Sequence, residues 1–225
     1  MDTDPVWARP PGGRKPKLTR EAIVAAAIEI ADAEGLEAVS IRRVAAELGV
    51  RAMSLYTHID RKEDLLDLMY DEVAGEALVE GEPPGDWRAA FLQICRKERA
   101  TAQRHAWMFE LASRSPRVGP NGLCHADQSL GAAARLTDDL EAQMEIVAAV
   151  DRYMLGFVIR ERRPEAAEAG PKPKLLDVSY VRALLELGEY RHLKPALKAG
   201  VREPDDFEKG LNWLLDGIER EYGGS

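Results

Sequence analysis

Ala45-Ala-Glu-Leu-Gly-Val-Arg-Ala-Met-Ser-Leu-Tyr-Thr-His-Ile-Asp-Arg-Lys-Glu-Asp-Leu-Leu66 is the stretch on which the rest of the chain turns. Ala45 and Gly49 stand four residues apart, and Leu55 follows six after Gly49. A helix-turn-helix needs a small residue where its helices touch, a turn residue that tolerates positive φ, and an apolar anchor on the second helix. These three residues fill the roles in that order. The spacing predicts a helix from Ser40 to Leu48, a stop at Gly49 and a short helix from Ala52 to His58. The second helix displays Arg51, Ser54, Tyr56, Thr57 and His58, more polar groups than a purely structural helix of that length would carry. A helix of this size fits the major groove of DNA.

The flanking segments agree. Upstream, Ile23, Ala26, Ala27, Ile30 and Ala31 fall at helical spacing, with Thr19 a candidate N-cap and Gly35 a candidate C-terminal stop. Downstream, Asp60-Arg-Lys-Glu63 has capping-box spacing and predicts a helix through Leu65, Leu66, Met69 and Val73. Residues 1–17 are rich in Pro and Gly, and Arg9, Arg14, Lys15, Lys17 and Arg20 stand without an acidic neighbour among them, the composition of a flexible basic arm. Gly81-Glu-Pro-Pro-Gly85 is a breaker and a candidate hinge. Beyond it, helical patterns run over about 87–103, 105–114, 121–134, 138–162, 178–190 and 205–222, with a Pro-rich loop at 163–174. Period-two alternation is nowhere sustained. The fold expected is all-α, with domains at 1–17 (arm), 18–66 (helix-turn-helix) and 67–225 (a larger helical domain).

Composition narrows the function. The 225 residues are 45% hydrophobic and 31% charged, a globular balance, and the net charge is −8. Residues 1–62 nonetheless hold ten basic and nine acidic side chains, against 21 and 30 in the remainder. The nucleic-acid end is therefore the N-terminal quarter. Cys95 and Cys124 are too few and too distant for a disulfide framework or a cysteine metal site. No apolar run is a signal peptide or a bilayer span, since Asp151 and Arg152 break the stretch Ile146–Ile159. A cytoplasmic protein without membrane attachment is expected. His58, His105, His125 and His192 are scattered, with no H-E-x-x-H motif and no Gly-rich phosphate loop. His125-Ala-Asp127 is the nearest approach to a dyad, and no activated nucleophile accompanies it, so catalysis is not expected.

Leu18–Leu66 resembles the DNA-binding domain of the tetracycline-repressor (TetR) family of bacterial transcriptional regulators. Leu55-Tyr56, His58 and Lys62-Glu63 with Leu65 carry the match. The C-terminal half is similar to the tetracycline-repressor branch at Arg104-His-Ala-Trp107, Gly119-Pro-Asn121, Asp151-Arg-Tyr-Met-Leu-Gly-Phe157 and Phe207-Glu-Lys-Gly-Leu211 with Gly217. The resemblance implies a homodimer that reads a palindromic double-stranded DNA operator with one recognition helix per subunit. Helices at 138–162 and 205–222 would pair with their copies. It also implies release of the DNA by a small-molecule effector. Where that branch holds a magnesium-chelated drug through a histidine and a glutamate, this chain places Ala112 and Arg160. Neither ligates Mg²⁺, so no metal and no cofactor are expected, and Arg160 would favour an anionic or carbonyl-bearing ligand.

The candidate DNA residues are Ser40, Arg42, Arg43, Arg51, Ala52, Met53, Ser54, Tyr56, Thr57, His58 and Lys62. Tyr56 and Lys62 suit phosphates, and Arg51, Ala52, Met53, Ser54 and Thr57 suit base edges or thymine methyls. Arg42 suits a guanine or a phosphate, while Ser40 caps its helix. For His58, capping or packing is as good a role as DNA contact. The candidate effector pocket draws on Leu78, Phe91, Ile94, Trp107, Met108, Leu111, Gln128, Met144, Val147, Tyr153 and Phe157, with Gln93, His105, Asn121 and Arg160 as further polar partners. Such an apolar stripe serves equally as plain core. A transcriptional activator of the same fold fits the same residues. A helical carrier that does not bind DNA would leave the basic arm and Lys62 without a role.

Overall fold

The computed structural model of the protein describes residues 18–81, 83, 85–114, 119–161, 179–188, 190–199 and 206–223. Among them every regular element is helical. The basic arm at 1–17 and the loop at 163–174 lie outside the described residues. Helix α1 (Arg20–Glu34) begins where Thr19 Oγ1 accepts the Ala22 N–H at 3.2 Å and ends at Gly35. A 3-10 turn over Leu36–Ala38 leads to α2 (Ile41–Glu47), capped by Ser40. Gly49 makes the turn at φ +63, a conformation that Cβ-bearing residues resist. Helix α3 (Ala52–Leu55) follows.

Two expectations are corrected here. Regular helix in α3 ends at Leu55 rather than His58. Thr57 Oγ1 donates to the Ser54 carbonyl at 2.8 Å and the His58 N–H to the Leu55 carbonyl at 2.9 Å. Local side-chain bonding of this kind competes with the helical ladder. The cap of α4 (Lys62–Glu76) is set one residue later than the Asp60/Glu63 pairing, because the Arg61 N–H donates to Asp64 Oδ2 at 3.1 Å. Three acidic residues stand close together at this corner, and the turn geometry selects Asp64.

The helical hairpin closes on Ile23, Val39, Val44, Leu55, Leu65 and Met69, all essentially inaccessible to solvent. Helix α4 packs against α1 on one side and against α5, α6 and α7 on the other. Those partners are α5 (Trp87–Arg104), α6 (Met108–Arg114) and α7 (Pro120–Ala133), followed by the 22-residue α8 (Leu140–Glu161). Gly85 is tied to the end of α7, since Arg135 Nη1 donates to its carbonyl at 2.8 Å. Helices α9 (Ser179–Leu187), α10 (Leu193–Lys198) and α11 (Phe207–Tyr222) complete the chain. Helix α10 was not anticipated, because Pro195 disguises it; a proline is tolerated in a first turn, where its missing N–H has no intrahelical partner.

The chain divides into two compact units, Met1–Val147 and Ala148–Ser225. In the second, the Tyr153 hydroxyl donates to the Phe207 carbonyl at 2.7 Å, and the rings of Tyr153, Phe157 and Phe207 cluster with centroids 5.0–6.0 Å apart. Met154, Val158, Leu211 and Leu215 are buried there.

Leu55→Ala removes a fully buried anchor and is expected to cost about 2–5 kcal/mol, whereas Met53→Ala, at an exposed position of the same helix, stays within about 0.5 kcal/mol. Urea unfolding of the two variants measures the difference.

Candidate nucleic-acid interface and its link to the ligand domain

Because α3 completely buries only Leu55, the other side chains of its short helix stay near the surface. Met53 is 74% exposed and Tyr56 46%. Arg51 and Thr57 are exposed as well, and Ala52, Ser54, His58 and Lys62 are half-buried. Arg42 is exposed on α2. Arg42, Arg51 and Lys62 enter no ion pair among the described residues, so their charge remains available to a polyanion. Lys62 is the first residue of α4, where unbonded backbone N–H groups also favour an anion.

The structure separates Ser40 and Arg43 from this set. Ser40 Oγ accepts the Arg43 N–H at 3.2 Å and so serves as the cap of α2. The Arg43 guanidinium bonds Glu34 and Glu47, each at 2.6 Å. These carboxylates, Glu34 foremost, hold its pKa above the ordinary arginine value. The charge of Arg43 is cancelled locally and ties α2 to the end of α1. Glu47, four residues on, is the local signal that foretells half of this arrangement.

At its other end α4 is fastened to the helices that follow it in two places. Asp71 Oδ1 accepts the Gly122 N–H at 3.0 Å, and Asn121 Nδ2 donates to the Asp71 carbonyl at 3.0 Å. This carboxylate sits at the positive end of α7, whose first residue is Pro120. A Cβ at Gly119 would come within 2.4 Å of Asp71. The segment Gly119-Pro-Asn121 is thus a seat for α4.

The second fastening is formed by the corner between α5 and α6. His105 ends α5, and its ring lies between two carboxylates. Nδ1 is 2.9 Å from Asp32 Oδ1 on α1, and Nε2 is 3.2 Å from Glu76 Oε2 on α4. Trp107 Nε1 donates to Asp32 Oδ1 at 2.7 Å, and Arg104 Nη2 donates to Glu76 Oε2 at 2.7 Å. Burial pushes the Glu76 carboxyl up, but its hydrogen bonds from Arg104 and His105 outweigh that and leave it below its usual range. Local periodicity carries no sign of this cluster.

Of the pocket candidates, Phe91, Ile94, Trp107, Met108 and Leu111 are buried, and Leu78 and Val147 are half-buried. Met144 instead faces outward, 59% exposed. Tyr153 and Phe157 belong to the aromatic cluster of the second unit. Gln128 is spent on backbone, accepting from the Val79 N–H at 3.1 Å and donating to the Val79 carbonyl at 2.7 Å. It also lines an open cavity of about 760 Å³ with Leu123, Cys124, Asp127 and Gly131 of α7 and Arg135 just beyond it. Nearby, burial lowers the His125 pKa. Its Nε2 has no hydrogen-bond partner and lies 3.9 Å from Glu98 Oε2. No described helix is long and apolar enough to cross a membrane.

Comparison with known proteins bears on both halves. Residues 23–69 match the family described as "Bacterial regulatory proteins, tetR family", and residues 80–222 match "Tetracyclin repressor-like, C-terminal domain". The chain is similar to the HTH-type transcriptional repressor DrrR1 of Streptomyces coeruleorubidus, with 36% identity over 94% of this chain and 81% of that protein. It is also similar to an HTH-type transcriptional regulator of Saccharopolyspora erythraea, with 35% identity over 97% and 92%. Among solved structures, ActR of Streptomyces coelicolor without ligand aligns at TM-score 0.77 and 27% identity, covering 92% of this chain and 97% of that one. ActR in complex with actinorhodin aligns at TM-score 0.76 and 25% identity, covering 93% and 100%.

The depressed Glu76 carboxyl yields a pH dependence. Its contacts stabilise the fold fully above the unfolded-state value and are lost as pH falls through the lower folded value. Glu76→Gln is therefore expected to be less stable than the wild type at neutral pH and to converge with it below about pH 4, as followed by denaturant unfolding across an acid series.

Proposed function

The chain belongs to the tetR family of bacterial regulatory proteins, and on that premise we propose a dimeric repressor that binds a palindromic operator and is released by a small-molecule effector. The observation that carries this function is the exposed surface of α3, flanked by the unpaired cations Arg42, Arg51 and Lys62. Arg42 and Lys62 position phosphates, together with the exposed Tyr56. Arg51, Ala52, Met53, Ser54 and Thr57 read bases, with Met53 offering apolar contact to a thymine methyl. His58 sits at the edge of this face. Ser40 and Arg43 support the face from behind.

A palindrome requires two copies of α3 about 34–36 Å apart, or a multiple of that. Apolar surface for pairing is exposed in the second unit, at Ile159 on α8 and Trp213 on α11. We assign the effector to the helical domain that includes Phe91, Ile94, Trp107, Met108 and Leu111. By likeness to ActR, which is known in complex with actinorhodin, it is an organic small molecule. Repression then follows from a population shift, the effector favouring a conformation whose α3 copies no longer fit adjacent grooves.

Two measurements test this. DNA selected from a random pool by the wild-type protein, titrated at several salt concentrations, is expected to bind more weakly to Arg42→Ala and Lys62→Ala. Each variant should also lose about one unit of salt slope. Arg43→Ala is expected to keep the wild-type slope, and loss of that slope would return Arg43 to the contact set. By sedimentation, Trp213→Arg is expected to shift a dimer towards monomer and to weaken operator binding with it.

A further inference from the structure

Helix α4 runs from Lys62 at the DNA face to Glu76, about 22 Å at 1.5 Å per residue. Its far end and α1 are bridged by a single side chain, His105. The backbone of His105 is held on both sides, its N–H donating to the Thr101 carbonyl and its carbonyl accepting the Met108 N–H, both at 2.9 Å. Only 10% of its side chain is exposed. The charged groups around the ring are Asp32 from α1, Glu76 from α4 and Arg104 from α5, with the Trp107 indole beside them.

A neutral imidazole has one N–H and therefore can donate to only one of two carboxylates; its other nitrogen then turns a lone pair towards the second. Only the doubly protonated ring satisfies Asp32 and Glu76 together. Removal of one proton does not strand either carboxylate, because Trp107 still serves Asp32 and Arg104 still serves Glu76. What opens is the bridge itself, between the body of the DNA-binding unit and the end of its long helix.

We propose that His105 makes operator binding proton-linked: the doubly protonated ring clamps α1 to α4 and fixes the DNA face, and loss of a proton loosens it. The proposal rests on the DNA-binding function above. His105 is a positioning residue, acting through Asp32 and Glu76 and touching neither DNA nor effector. The affinity of the wild type falls as the ring loses its second proton, since a loosened DNA face must be ordered again on binding.

The test measures binding of the pool-selected DNA by fluorescence anisotropy at constant ionic strength, over a series from about pH 6 to about pH 8.5. His105→Gln, which cannot titrate, is compared at every pH. The difference between the two proteins removes the contribution of His58, which both retain. Wild-type affinity is expected to drop about fivefold or more beyond any drop in His105→Gln, with the same salt slope in both, because no phosphate contact is lost. Glu76→Gln, at a partly exposed position and thus able to fold if His105→Gln does not, is expected to show a shallower profile than the wild type. Superimposable pH profiles for the wild type and the folded variants would overturn the proposal and leave the DNA-binding function standing. Absence of selected binding at any pH would overturn both.

Discussion

A single helix has to belong to two cores, and the rest of the molecule is organised around that requirement. Leu65, Met69, Val73 and Ala74 of α4 are buried, and α4 packs on α1 within the helix-turn-helix unit as well as on α5, α6 and α7. Helix α4 itself joins the surface proposed to meet DNA to the helices proposed to meet the effector. Displacement of α6 or α7 must therefore be transmitted to α4 or be resisted by it, because close-packed interiors rearrange rather than stretch.

The contacts at this joint are polar where a simple core would be apolar. Asp71 holds the start of α7, and Glu76 with Asp32 receives the α5–α6 corner. Apolar packing is non-directional and tolerates sliding, whereas hydrogen bonds to carboxylates specify one alignment. The end of α4 is thus located by directional bonds while its middle is stabilised by burial. This division gives a joint that is defined in its resting position yet able to be reset.

How much of this was legible in the sequence follows the range of the interactions. Ala45, Gly49 and Leu55 revealed the hairpin because a helix-turn-helix encodes its contact, turn and anchor within eleven residues, and Thr19 and Ser40 marked their caps by residue type. The end of α3 and the cap of α4 were misplaced where neighbouring residues offered two equivalent registers, settled only by Thr57 and Asp64. The His105 joint was invisible, since Asp32 and Glu76 lie 73 and 29 residues from it and leave no periodic trace. Apart from the exposed Met144, the aromatic and aliphatic stripe of the larger helical domain was legible as an apolar face, but that alone does not separate a wall of a pocket from core.

The indole of Trp107 donates to the same Asp32 oxygen that His105 approaches. Indole emission responds to the hydrogen bonding and charge at its N–H. The joint therefore contains a natural chromophore whose colour reports its state, in a chain with four tryptophans in all. Opening and closing of the proposed link is in this sense written into the protein's own fluorescence, without any attached label.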